Sequence, residues 1–393
     1  MAPENPEGVV WAVNEARATG MPLAVVSTGH GIKPLGDLSD SFLIDTSKLD
    51  SVEIDPAHRI ARIGGGVTWS RLLEAAGRFG LTAPFGTAGS VGVAGYCLGG
   101  GVGPMGRFLG LGSTAVRAVD LVTPEGVELR VDGITDPDLL WALKGGGGGF
   151  GVVTSLELDL SPVPDMTGGM LVFPIQRAAE VGKTWSEWTR HAPAALTTSL
   201  RFVQNEPGAG LAMIMVASPA PEIEVVGQLE DLLAMGPVAN TVVSTDPAKF
   251  VAENGDPDDS PPIWLEHTLI DHLPDEAVEA AVEFADPSKG SPLLMTEFRH
   301  LGGALAQAAP RGGALSHLDA NFSYVAMSLP EGRAHVKHAT DVMSDFGRGR
   351  SYLNFCLEST DRNTMFDPET VSRLAELHSR LDPDRVMRHP HPV

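Results

Sequence analysis

Residues Gly86 to Gly103, GTAGSVGVAGYCLGGGVG, hold eight glycines in eighteen positions, and the sizeable side chains there are Val91, Val93, Tyr96, Cys97, Leu98 and Val102. A run so poor in side chains cannot build a core of its own. It does let backbone N–H groups approach a large ligand and take up φ > 0 where a turn needs it. The stretch reads as a ligand cradle. Two further glycine-rich segments look like its partners, Val25 to Gly31 (VVSTGHG) and Trp141 to Thr154 (WALKGGGGGFGVVT). Each adjoins a β-like run, so the three suggest one long cofactor lying across the end of a small α/β domain.

A chain of 393 residues is long for one core and sufficient for two. Its formal net charge is −22 with no Lys/Arg cluster, which argues against nucleic acid and anionic membranes, because phosphate binding needs grouped cations. Two cysteines, Cys97 and Cys356, support neither a disulfide framework nor a zinc site, and no metal site is expected. The start MAPENPEGVVWAV lacks a basic and then apolar leader, and no run of eighteen apolar residues occurs. A cytoplasmic protein is the expectation, and no heptad or unpartnered apolar helix face speaks to its oligomeric state.

Along the chain, Pro6 to Gly20 has helical spacing and ends on a natural C-cap. Pro22 to Ser27, Phe42 to Asp45, Val52 to Asp55 and Ile60 to Ile63 read as short strands, and Thr68 caps a helix that runs to Gly80. Ala115 to Val122 and Val127 to Val131 flank a hairpin turn, Asp136 to Leu143 is a short helix, and Val152 to Leu160 alternates as a half-buried strand does. After the break at Pro162-Val163-Pro164, strand-like runs (Met170 to Pro174, Ser199 to Val203, Ala212 to Ala217, Leu293 to Arg299, Asn321 to Ser328) mix with helix-like ones (Gln176 to His191, Pro221 to Met235, Glu276 to Phe284). That mixture predicts a second α/β layer domain. Val342 to Phe346, Ser351 to Leu357 and a helix from Pro368 to Leu381 close the chain.

None of the loops shows G-x-G-x-x-G between a strand and a helix with an acid about twenty residues on, and there is no G-K-[ST], so neither a Rossmann unit nor a P-loop is supported. A non-Rossmann cradle remains, with the amides of Ser27, Thr28, Gly29, His30 and Gly31 able to nest a pyrophosphate. His30 is either a turn histidine or a nucleophilic imidazole. With an ordinary pKa of about 6.5 it is largely neutral, and so competent, at neutral pH.

VVSTGHG, the central glycine stretch, AVDLVTPEG, DPDLLWALKGGGGGFGVVTSLEL and LHSRLDPDRVMRHP, in this order and at these intervals, resemble the berberine bridge enzyme-like branch of the FAD-linked oxidases. HLGGAL, HLDANFSY and SYLNF are similar to that branch too. The resemblance spans nearly the whole chain. It implies an α+β, two-domain PCMH-type FAD-binding fold, that of vanillyl-alcohol oxidase, with two small α/β subdomains and a substrate domain of antiparallel sheet covered by helices. The implied boundaries are 1–164 for the FAD domain, shortened at its N-terminus by the loss of the leading strands, 165–340 for the substrate domain, and 341–393 for a segment returning to the FAD domain. It also implies FAD carried on His30 through the 8α-methyl group. The cofactor would be wrapped by Ser27, Thr28, Gly29 and Gly31, by Gly86, Thr87, Ala88, Gly89, Ser90, Gly92, Val93, Gly95, Tyr96 and Gly99, and by Gly148, Gly149, Gly151, Val152 and Val153, with Asn354 beside the flavin.

The departures from that pattern matter as much. Ala88 or its neighbours stand where doubly attached flavins have a cysteine, so one covalent link is expected and Cys97 reads as a packed thiol. Gly149 replaces an amide side chain of GGGGNFG, Phe355 lacks the hydroxyl of Y-x-N-Y, and Phe366 stands where another tyrosine is common. The resemblance implies hydride transfer to flavin N5 while a tyrosine or carboxylate takes a proton. Tyr352 is the first candidate for that role, Tyr324 is either catalytic or a core aromatic, and Tyr96 could stack under the flavin. Glu297 is either the base or a solvated strand end, His317 and Asp319 look like turn residues near the site, the run Glu253 to Asp259 looks like a solvated loop, and His389 and His391 look like a frayed terminus. The function implied is a bacterial oxidase or dehydrogenase acting on a small secondary metabolite or alcohol, with oxygen as reoxidant. The alternative is a redox-silent homologue catalysing a cyclisation, isomerisation or elimination.

Overall fold

The computed structural model describes residues 1–163, 165–206, 208–255 and 262–391. Pro164 and residues 256–261 lie outside it, so the acidic run is described only at its start, where Glu253 and Asn254 end a helix from Pro247.

The first helix, Pro6–Thr19, is capped by the Asn5 side chain on Gly8 N and closed by Gly20 at φ 69°. Its apolar stripe (Val9, Ala12, Val13, Ala16) packs on Leu23, Ile44, Val122, Val152 and Met387. Strands Leu23–Val26 and Phe42–Asp45 pair in parallel. The end of the chain joins them, because Leu23 N donates to Val386 O and Leu23 O accepts from Arg388 N, both at 2.7 Å.

The second subdomain is a five-stranded antiparallel sheet in the order Val52–Asp55, Ile60–Gly64, Val152–Asp159, Val116–Val122, Glu128–Asp132. The helix Trp69–Gly77 buries Trp69, Leu72, Leu73 and Ala76 against it. That helix stops one turn before the Gly80 that the sequence marks, and Thr68 holds the N-cap position without a side-chain cap.

Beyond residue 165, nine strands form one antiparallel sheet among the described residues. Its order is Ala239–Asn240, Met166–Pro174, Ala209–Ser218, Thr197–Glu206, Leu293–His300, Phe322–Ser328, Trp264–Ile270, Gly347–Arg350, and Val243–Thr245 adds to Met166–Pro174. One face is covered by the helices Ala178–Thr189, Asp275–Ala285 and Arg333–Ser344, around Trp185, Leu200, Phe298, Tyr324 and Val336. The other face joins the core of the glycine-rich domain through Met215, Ala217 and Leu269. The helix Arg333–Ser344 and the strand Trp264–Ile270 escape the periodicity reading, since RAHVKHATDVMS has few large apolar residues and Glu266 and His267 interrupt WLEHTLI.

A buried arginine ties the two halves together. Arg107, in the short helix Gly106–Leu109, donates from Nε to Leu196 O (2.8 Å) and from Nη2 to Pro193 O (3.1 Å), and Nη1 reaches Leu301 O. No helix among the described residues is long and apolar enough to cross a membrane.

Candidate functional site

Three loops converge because each is hydrogen-bonded to the next. After Val26 the first loop turns at Gly29, and Thr28 Oγ1 accepts from Gly92 N at 3.1 Å while lying 3.0 Å from His30 Nδ1. The His30 ring is exposed. The front half of the central loop runs beside Val67–Ser70, through Trp69 N to Val91 O (3.0 Å), Ser70 N to Gly89 O (2.9 Å) and Val93 N to Val67 O (2.9 Å). Its back half meets the third loop where Gly147 N donates to Leu98 O at 2.8 Å.

The glycines divide by what surrounds them. A Cβ on Gly29, Gly31, Gly95 or Gly148 would find nothing within 4 Å, so all three loops present bare backbone to open space. Gly95 is the exposed position of a helix, Val93–Leu98, that otherwise buries Val93, Ala94, Tyr96 and Cys97. At Gly101, φ is +80° and a Cβ would lie 2.2 Å from Tyr96 Cε1, so no other residue fits there. The donor set and the bare backbone suit a long ligand with a diphosphate, and the residues present fit FAD.

The other expected cofactor positions are of two kinds. Ser27, Thr87, Ala88 and Ser90 are half-buried within these loops. Gly86, Gly89 and Gly99 are packing glycines, facing Tyr96, Ser70 Oγ and Asn354 respectively, while Val93, Val152 and Val153 direct their side chains into the core and Gly151 sits against Val122 O. Tyr96 is not a platform for a flat ring, because it is enclosed edge-on by Trp69 (centroids 5.1 Å) and by Gly86, Gly101 and Gly112. The Cys97 thiol is buried, and burial raises its pKa to about 12. The space over Gly149 is occupied by another side chain, since a Cβ there would lie 2.2 Å from His389 Nδ1.

Asn354 is a clamp. Its Oδ1 accepts from Gly101 N (2.8 Å) and its Nδ2 donates to Tyr96 O (3.1 Å), fastening the turn Leu353–Phe355 to the central loop. This holds Tyr352 beside the nine-stranded sheet, where His267 Nε2 accepts from Tyr352 N at 2.9 Å and the two rings meet edge to face at 4.8 Å. Burial keeps the His267 imidazole neutral, with its pKa lowered to about 3. The Tyr352 side chain is 1% exposed, and burial raises its phenol to about 12 against the opposing pull of Arg299.

Strand register sets two polar rows on this face. Met213, Arg201, Glu297, Val325 and His267 lie across one row, and Met215, Ser199, Arg299, Ser323 and Leu269 across the next. Glu297 is fully buried between Arg201 Nε (2.8 Å) and Arg299 Nε (2.6 Å). Burial opposes its ionisation, but the two guanidiniums outweigh it and hold the carboxyl at about 2. Both readings of Glu297 are therefore corrected: its burial rules out a solvated strand end, and a carboxylate this acidic, held by two guanidiniums, is too weak a base to take a proton near neutral pH. Arg299 also lies 4.6 Å over the Phe355 ring.

Tyr324 is corrected as well. It belongs to the opposite, helix-covered face, fully buried and 5.1 Å from Phe298. Strand parity with Phe322 and Ala326 put it there. His317 is exposed beside Ser316 Oγ (2.9 Å), and exposed Asp319 pairs with Arg348 (2.6 Å), so both are surface turn residues. His389 and His391 do not fray, since His391 is 4% exposed and accepts from Thr360 N at 3.2 Å. No group of three or more His, Cys, Asp or Glu among the described residues could hold a metal. Sequence reasoning missed His267, Arg201 and Arg299, although the β-forming run around His267 and the alternation of Glu297 with Arg299 carried the signal.

The comparisons with known proteins agree with this geometry. Residues 1–132 match the profile of the FAD binding domain family. The FAD-linked oxidoreductase YgaK of Bacillus subtilis is 25% identical over 401 residues, which cover 98% of this chain and 88% of that protein. The structure of 6-hydroxy-D-nicotine oxidase from Arthrobacter nicotinovorans matches with a TM-score of 0.86 at 25% identity, over 98% of this chain and 89% of that one. Berberine bridge enzyme from Eschscholzia californica shares the fold with a TM-score of 0.88 at 20% identity, over 99% and 88%. The chain thus carries a match to the FAD binding domain family over residues 1–132, is similar over nearly its whole length to FAD-linked oxidoreductases, and has the PCMH-type fold of berberine bridge enzyme.

Proposed function

We propose that FAD lies across the three loops, joined to His30, and that the enzyme oxidises a small secondary metabolite or alcohol held between the loops and the polar face of the nine-stranded sheet. The observation that carries this reading is the exposed His30 imidazole together with bare backbone on each of the three hydrogen-bonded loops. A bound flavin supplies a two-electron acceptor that oxygen regenerates. The chain supplies the rest. Thr28, itself fixed by Gly92 N, hydrogen-bonds the Nδ1 edge of the His30 imidazole and so orients the ring that would carry the flavin. Ser27 to Gly31 and the amides near Gly95 and Gly148 hold the cofactor body. Tyr352 keeps its own proton at neutral pH, so its hydroxyl would donate a hydrogen bond to the substrate heteroatom, whose own proton would pass to solvent as negative charge develops beside the Arg299 guanidinium.

The test is the visible spectrum of the purified protein, followed anaerobically as alcohols and amines are added. Flavin absorbance that bleaches with a substrate and returns with oxygen is the expected result. A Tyr352→Phe variant should then turn over about a hundredfold more slowly while remaining yellow. Colourless protein that takes up no added FAD would remove the redox reading and leave a cyclisation or isomerisation on the same scaffold.

A further inference from the structure

On the face of the nine-stranded sheet that carries Glu297, one row of apolar side chains is left without the packing that such residues find elsewhere in the protein. Strand register places Leu211, Val203, Met295, Met327 and Leu265 side by side across five strands. Each lies two residues along its strand from the row that holds Arg201, Glu297 and His267, and so shares that row's face. Leu211, Val203, Met295 and Met327 are half-buried and keep accessible surface, while Leu265 is 7% exposed. None of the five belongs to any of the three apolar cores formed by the described residues. Ile263, two residues before Leu265, is half-buried too and outside those cores.

Single exposed apolar residues are ordinary on a protein surface, but a contiguous apolar strip marks a surface that is covered in use. With neighbouring strands about 4.8 Å apart, five strands make a strip about 19 Å long. Its place in the fold says what covers it. At one end Lys33 Nζ donates to Ile263 O, and Lys33 stands three residues after His30 in the loop that presents the exposed imidazole. At the same end His267, which accepts from Tyr352 N at 2.9 Å, is two residues along the strand from Leu265, a separation of about 7 Å. The strip therefore starts beside the groups assigned to the flavin and to the substrate heteroatom, and runs away from them across the sheet. Methionine suits such a surface, because an unbranched thioether adapts to ligands of different outline. The row offers no strong hydrogen-bonding group to the hydroxyls of a sugar. We propose that Leu211, Val203, Met295, Met327 and Leu265 form the subsite for an extended apolar body of the substrate, an alkyl or aryl framework whose oxidisable group lies at the Tyr352 end. This names the substrate class of the oxidase reading above and rests on it.

The experiment follows the fluorescence of anilinonaphthalene sulfonate on the purified full chain, and its displacement by straight-chain alkanols from butanol to decanol and by cellobiose. Met295→Gln and Met327→Gln are introduced together, and Ile223→Gln, at an exposed apolar position on another element, is the control. The expected result is saturable binding, displacement that tightens about two- to fourfold per added methylene, and none by cellobiose. The methionine variant should bind about tenfold or more weakly, and the control should match the parent. Should the methionine variant not fold, the parent decides alone, because bound decanol shields Met295 and Met327, and not the exposed Met1, from oxidation to the sulfoxide by hydrogen peroxide. Absence of saturable binding, equal affinity in the methionine variant, or no shielding of these two methionines would overturn the subsite. So would loss of flavin or of a dimer from the methionine variant, since the strip would then belong to the cofactor or to a second copy of the chain. A colourless protein that binds decanol in this way loses the oxidase reading and keeps the apolar subsite. A yellow enzyme that bleaches with small alcohols and binds no decanol keeps the reading and loses the subsite.

Discussion

Glu297 has no exposed surface and two arginine partners, so its value lies in its charge and not in its basicity. Glu297→Ala leaves two guanidiniums facing each other across the sheet. It should cost about 3–5 kcal/mol in a urea melt, as removing one partner of a buried ion group does. A loss below about 1 kcal/mol, the level of a surface pair, would contradict the buried triad. Asn354 acts by hydrogen bonding, and Asn354→Ala strands the Gly101 amide. We expect a loss of about 1–3 kcal/mol together with weaker flavin retention, because the turn bearing Tyr352 is released from the central loop. Tyr352 itself should show no tyrosinate absorbance in a titration from neutral pH to pH 10, since its phenol is raised to about 12.

Among the elements, the glycine loops make the sharpest distinction between folding and binding. Gly95→Ala adds a methyl to a helix position with nothing within 4 Å, so the fold should be unchanged or gain up to about 1 kcal/mol while FAD binds more weakly. Gly101→Ala meets the Tyr96 ring at a positive φ and should destabilise the protein by about 2 kcal/mol or more before binding is considered. Equal FAD affinities for Gly95→Ala and the parent would move the cofactor off that helix. The same elements show what a sequence discloses. The order of loops, the Gly20 cap and most strand starts were legible because they depend on neighbours in the chain. The enclosure of Tyr96 and the filling of the space over Gly149 by His389 depend on residues from five to 240 positions away, which periodicity does not encode. Tyr324 lay between these cases, with its face readable from parity and its role not.

On the scale of the whole molecule, the two halves share one core and are held by Arg107 on three carbonyls and by the returning C-terminus on Leu23. Several buried histidines are neutral in this arrangement, with burial lowering His267 and His300 to about 3 and His391 to about 4 from 6.5. Between 6.5 and those values the unfolded chain binds protons that the folded chain refuses, so the stability they contribute is present above 6.5 and lost as pH falls. Glu297 extends the same direction lower, its contribution present above 4.5 and lost toward about 2. Thermal melts should therefore decline steadily from pH 6.5 downward, and a flat profile between pH 6.5 and 5 would contradict the neutral buried histidines. The central claim, one flavin carried by His30, is tested most directly by the intact mass of the denatured purified protein beside His30→Ala. The account predicts a mass increased by one FAD in the parent and by none in the variant. An unmodified parent mass, or an adduct that survives in His30→Ala, would contradict it.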